Sequence, residues 1–122
     1  MSKIILIADD YDDARGYMVL LIKSYGYEVF EARNGKEAIE LAKKHHPDLI
    51  LMDISMPEMD GLQATQIIRK SNAEIAKVPI IAITAFDDSY KEKVLKAGCN
   101  QLIAKPVDFH ILESVINKYL LP

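Results

Sequence analysis

Five short apolar runs punctuate this chain: IILIA (4–8), YEVFEA (27–32), DLILM (48–52), VPIIAI (78–83) and NQLIA (100–104). Between them lie segments whose apolar residues recur at helical spacing. Tyr17, Leu20, Leu21 and Tyr25 mark the first, and Ala38, Leu41 and Ala42 the second. Leu62, Ile67 and Ile68 mark the third, Val94, Leu95 and Ala97 the fourth, and Ile111, Leu112, Val115 and Ile116 the fifth. Asn34 and Asp108 sit where N-caps belong, and Gly26 and Gly98 where helices should stop.

Strands alternating with helices predict a parallel sheet covered on both sides. Right-handed crossovers make this an α/β, doubly wound (βα)5 fold. The five-stranded flavodoxin-like order 2-1-3-4-5 follows as the expectation. Four runs are almost continuously apolar, as strands buried on both faces should be. The second, with Glu28 and Glu31, alternates and suits an edge.

A chain of 122 residues fits a single domain, taken as residues 1–122, and can bury a core without staples. A net charge of −3 offers no basic footprint for nucleic acid and no attraction to acidic membranes. Cys99 is the only cysteine, which excludes an internal disulfide and suits a reducing compartment. The start, MSKIILIADD, is too short for a signal peptide or a membrane span. The expected location is cytoplasmic.

In such a sheet the carboxyl ends of all strands open on one edge, where ligands bind. The first strand runs into Asp9 and Asp10, the third into Asp53, the fourth into Thr84 and the fifth into Lys105. Three carboxylates, a hydroxyl and an ammonium therefore converge on one rim. Carboxylates so close repel, and a hard divalent cation such as Mg²⁺ relieves the repulsion. With Lys105 as a second positive charge, the set suits phosphoryl transfer, with Asp53 attacking phosphorus to become an acyl phosphate. After Asp53, Pro57 and Gly61 shape a tight loop that can bring the Ser55 carbonyl towards the metal. Gly61 is expected at positive φ.

Taken singly, each of these residues has an ordinary structural role. Acids after strands serve in turns and caps, Thr84 alone reads as a capping hydroxyl, and Lys105 alone as a solvated lysine. Only the joint pattern is strong. Asp12, Asp13, Asp87 and Asp88 read as helix-start charges. His45 and His46 close a helix and, being adjacent, face different ways. Cys99 reads as a small buried residue. Gly16 lies inside the first helix, an oddity that packing against a neighbouring element would explain.

The acidic pair in LIADD, the block LILMDISMPEMDG, the ITA of PIIAITA and the AKP of LIAKP together resemble a response-regulator receiver domain of the CheY-like kind, over essentially the whole chain. The resemblance implies that Asp53 is the phosphoacceptor, that Asp10 binds Mg²⁺ directly, and that Asp9 holds it through water or supports Asp10. It implies that Ser55 gives the metal its backbone carbonyl, and that Thr84 and Lys105 contact the phosphoryl group. It also implies a cis bond before Pro106. The phosphodonor would be a sensor histidine kinase or a histidine phosphotransfer protein, docking near Ala14 and Tyr17. An unknown downstream protein, or a second copy of the chain in a homodimer, would read a face containing Tyr90, Lys93, Gln101, Ile103 and Phe109. Leu102 departs from the family, which usually has Tyr or Phe there, and Val107 replaces a common Phe.

Two other readings compete. A haloacid-dehalogenase-type phosphohydrolase needs an Asp-x-Asp pair on its nucleophile strand, but Ser55 stands at the second position. A receiver-shaped, phosphorylation-independent dimerisation module would normally lack one of the five key side chains, and this chain keeps all of them. The expected role is a switch rather than an enzyme of multiple turnover.

Overall fold

Each apolar run becomes a strand, because continuous Ile, Leu and Val stretches satisfy a sheet buried on both faces. The computed structural model describes residues 2–85 and 90–121. Its strands are β1 (Ile4–Ala8), β2 (Glu28–Ala32), β3 (Leu49–Asp53), β4 (Ile80–Thr84) and β5 (Gln101–Ala104). Its helices are α1 (Asp12–Ser24), α2 (Gly35–His45), α3 (Gly61–Arg69), α4 (Lys91–Ala97) and α5 (Phe109–Leu120). The strands pair in parallel in the order β2-β1-β3-β4-β5. No helix among the described residues is long and apolar enough to cross a membrane. Asp87 and Asp88 lie outside the described residues.

The two-residue period of a strand sorts the core into two layers. Leu6, Ile50, Met52 and Ile80 pack with α2, α3 and α4, while Ile5, Leu51, Ile81 and Ile103 pack with α1 and α5. Every residue of β3 and β4 is buried. Edge strand β2 keeps Glu28 and Glu31 exposed, one on each face, as its edge position allows.

The helix ends follow local chemistry. Asn34 caps α2 by accepting from the Glu37 N–H at 2.8 Å, and Asp108 caps α5 by accepting from the His110 N–H at 2.8 Å. Gly98 closes α4 at φ 114°, and Gly26 follows α1 at φ 96°. The two histidines part as expected: His45 stacks on Phe30, and His46 reaches Glu74 at 2.8 Å.

The buried face of α1 differs from the expected one. Tyr17 and Leu20 are exposed, and Arg15, Met18, Val19 and Ile22 are buried instead. Nearly every position from 17 to 22 is apolar, so spacing alone does not set the rotational phase of this helix. Ile67, Leu95 and Ile111 are likewise exposed rather than buried.

Gly16 has no packing role in this fold, since a Cβ there would meet nothing within 4 Å. Gly16→Ala is expected to stabilise the protein by about 1 kcal/mol, the helix-propensity difference between the two residues. Urea unfolding of the two proteins measures it.

Candidate functional site

The topology places the four predicted strand ends side by side. Asp53 is the last residue of β3 and pairs with Ile83 in β4, and Thr84 ends β4 one residue further on. Both are buried. Asp9 and Asp10 directly follow β1, and Lys105 directly follows β5. The Lys105 N–H donates to the Thr84 carbonyl at 2.8 Å, so the β4–β5 ladder carries Lys105 to the rim. The Lys105–Pro106 peptide is cis.

Asp53 is held at both carboxylate oxygens. The Ser55 N–H donates to Oδ1 at 3.0 Å, and Lys105 Nζ donates to Oδ2 at 3.0 Å. Asp9 is buried and accepts from the Tyr11 N–H at 2.9 Å, whereas Asp10 is exposed. One carboxylate oxygen from each of Asp9, Asp10 and Asp53 lies within 4.8 Å of the others. Clustered hard oxygen donors, two of them on buried residues, fit Mg²⁺, which takes one or two carboxylates and keeps waters.

The electrostatics express the same conflict. Burial pushes the Asp53 carboxyl above its ordinary value and the Asp9 charge adds to this, against the Lys105 and Ser55 hydrogen bonds that lower it. For Lys105, burial pulls the ammonium down. Asp53, with Asp9 and Asp10 behind it, more than reverses this, so the net direction is upward.

The loop after β3 corrects one expectation. Gly61 does not have positive φ, and the left-handed residue of this loop is Glu58 at φ 65°. Gly61 is needed for space, because a Cβ there would collide with the Asp53 carbonyl oxygen and lie 2.9 Å from Met52 Cγ. The Gly61 N–H donates to the Ile54 carbonyl at 3.0 Å, and Asp60 begins α3 with a capping box to Gln63. The loop is thereby pressed against the strand end that carries Asp53.

The expected partner surface separates into parts. Ala14 and Tyr17 line an apolar cavity of about 440 Å³ beside Asp9 and Lys105. Phe109, assigned from sequence to a different face, lines this same cavity, its ring 5.3 Å from that of Tyr17. Tyr90 and Lys93 line a separate groove between α3 and α4. Gln101 lies on β5 and accepts from the Tyr119 hydroxyl at 3.4 Å. Ile103 is buried at 4% exposure in the α1–α5 layer and offers no surface, because its strand position points it inward. Sequence reasoning also passed over Arg15, a buried cation that donates to the Asp9 carbonyl at 2.8 Å. With the phase of α1 open, nothing local marked it as inward-facing.

Gly61→Ala should destabilise the protein by about 1–3 kcal/mol, the usual cost of overpacking, read from the urea midpoint. For Asp53, a folded-state pKa raised above the unfolded value means that metal-free protein loses stability as pH rises through the ordinary carboxylate range to the raised value. Asp53→Asn, which cannot ionise, should therefore outlast the wild type in urea at neutral pH, with the gap closing on acidification. Mg²⁺ at a hundredfold its Kd should add about 2.7 kcal/mol to the wild type and clearly less to this variant.

Comparison with known proteins agrees with this arrangement. The family described as response regulator receiver domain matches residues 5–117. The polar-differentiation response regulator DivK of Brucella ovis is 39% identical over 121 residues, covering 98% of each chain. The receiver domain of a sensor histidine kinase from Pseudomonas aeruginosa PAO1, solved with a magnesium ion coordinated in its active site cleft, superposes with a TM-score of 0.89. It is 32% identical, with 98% of each chain covered. A chain in the co-crystal structure of the Saccharomyces cerevisiae histidine phosphotransfer protein Ypd1 with the receiver domain of its response regulator Ssk1 superposes with a TM-score of 0.87. It is 27% identical, covering 97% of this chain and 88% of that one. A doubly wound sheet in this order, an acidic cluster with a lysine at its carboxyl edge, and relatives aligned from end to end place the chain in the family of response regulator receiver domains.

Proposed function

We propose that Asp53 accepts a phosphoryl group from a phosphohistidine on a histidine kinase or histidine phosphotransfer protein, and that the modified chain controls a downstream partner. The observation that carries this reading is the Asp53 carboxylate itself, buried at a strand end between the Lys105 ammonium and the Asp9 and Asp10 carboxylates. Residues 1–122 are read as one receiver unit.

An Asp53 carboxylate oxygen forms a bond to phosphorus while the phosphorus–nitrogen bond of the donor breaks, its electron pair returning to the imidazole. Lys105 Nζ, already 3.0 Å from Oδ2, is placed to pair with the phosphoryl oxygens as charge gathers there. The Thr84 hydroxyl is the donor for another of those oxygens. Asp10, Asp53 and the Ser55 carbonyl would hold Mg²⁺, with Asp9 reaching it through water, and the ion would supply charge neutralisation for the transfer. The reaction acts on the chain's own aspartate, which makes it a switch rather than a multiple-turnover enzyme. The Tyr17–Phe109 cavity beside Asp9 is the apolar surface against which a donor would seat.

Leu102 packs against the α2–α4 layer, in register with Ala82 of β4. A leucine lacks the aromatic ring usual there. The conformational response is therefore assigned to Thr84 and to backbone shifts rather than to an aromatic rotation.

Intact-mass spectrometry after incubation with acetyl phosphate tests the assignment. The wild type should gain one phosphoryl group only with Mg²⁺ present, and Asp53→Ala should gain none. Absence of an adduct, together with no response to beryllofluoride, would overturn the proposal in favour of a phosphorylation-independent dimerisation module.

A further inference from the structure

Arg15 stands in α1 with its side chain only 7% exposed, although nothing in the phosphoryl transfer above calls on it. Its guanidinium spends its donors in three directions. Nη1 donates to the Asp9 carbonyl at 2.8 Å, Nη2 to Asp12 Oδ1 at 2.6 Å and Nε to Glu31 Oε1 at 3.1 Å. The contact to Asp9 is buried.

The Asp9 carbonyl belongs to the peptide that joins Asp9 to Asp10. That peptide lies just beyond the end of β1. The Asp9 N–H still reaches β2, donating to the Ala32 carbonyl at 3.0 Å, and its carboxylate accepts from the Tyr11 N–H at 2.9 Å. Arg15 supplies the anchor for the remaining polar group of this residue. Nη1 alone reaches the carbonyl, and the planar guanidinium, held at its other nitrogens, fixes the direction of that N–H in a way that a freely rotating ammonium does not. Asp12 and Glu31 in turn hold the fork from α1 and β2.

We infer that Arg15 is a positioning residue for the divalent cation: by clamping the Asp9–Asp10 peptide, it sets the direction of both acidic side chains towards Asp53. This rests on the reading of Asp9, Asp10 and Asp53 as the Mg²⁺ site. Groups that orient metal ligands typically alter metal affinity by about 10–100-fold when removed.

Charge alone makes the opposite prediction. Arg15 is a cation beside an acidic site, and its removal would also free the charges of Asp12 and Glu31. On electrostatic grounds, its loss would strengthen Mg²⁺ binding. The direction of the change therefore separates positioning from charge.

The test is a calorimetric Mg²⁺ titration of the full chain at 0.15 M salt, for wild type, Arg15→Met, Arg15→Lys and Asp12→Asn. Urea unfolding of the metal-free proteins runs alongside as the measure of fold. Arg15→Met should bind Mg²⁺ about 10–100-fold more weakly than wild type. Arg15→Lys, which keeps the charge but not the fork, should recover only part of the loss and also serves if the methionine variant fails to fold. Asp12→Asn, which keeps the contact to the Asp9 carbonyl, should stay close to wild type. Unchanged or tighter binding by a folded Arg15→Met or Arg15→Lys would overturn the inference. A wild type that binds no Mg²⁺ would overturn the metal site itself, and the inference with it, which is a distinguishable result.

Discussion

A carboxylate at the end of a fully buried strand is the constraint around which this molecule is arranged. Asp53 cannot shed its desolvation cost into solvent, because β3 is central and both of its faces are covered. Two hydrogen bonds, from Ser55 N–H and Lys105 Nζ, offset part of it. Asp9 works against them from the neighbouring strand end. The charge that stays uncompensated is what suits the site to a hard cation. Burial and hydrogen bonding thus pull in opposite directions at one side chain.

The surroundings of Asp53 leave it little room to relax. Gly61 lets α3 start directly against the Asp53 carbonyl, and the Asp60–Gln63 capping box holds that start in place. Gly35 donates its N–H to the Met59 carbonyl at 3.1 Å, tying the same loop to the first residue of α2. On the other side, the β4–β5 ladder delivers Lys105 through its backbone bond to Thr84.

The apolar cavity beside the site has a different origin. Tyr17 on α1 and Phe109 on α5 are exposed large aromatics that meet only because both helices cover the same face of the sheet. The cavity opens next to Asp9 and Lys105, so a surface suited to apolar contact adjoins a site suited to charge. Area for apolar contact and a polar centre thus lie side by side.

Sequence by itself determined the alternation of strands and helices, the edge character of β2, the caps at Asn34 and Asp108, and the gathering of Asp9, Asp10, Asp53, Thr84 and Lys105 at one rim. These are legible because they depend on local period and on the rule that parallel strands end on a common edge. Only the tertiary structure decided the phase of α1, which turned Tyr17 outward and Arg15 inward, because a helix apolar on most sides shows no preferred face until neighbours are present. It also decided that Ile103 is buried, that Phe109 belongs beside Tyr17, and that Gly61 is required by a close approach rather than by its φ. Those facts reside in distances between segments far apart in the chain, and no residue carries such a distance in its own chemistry.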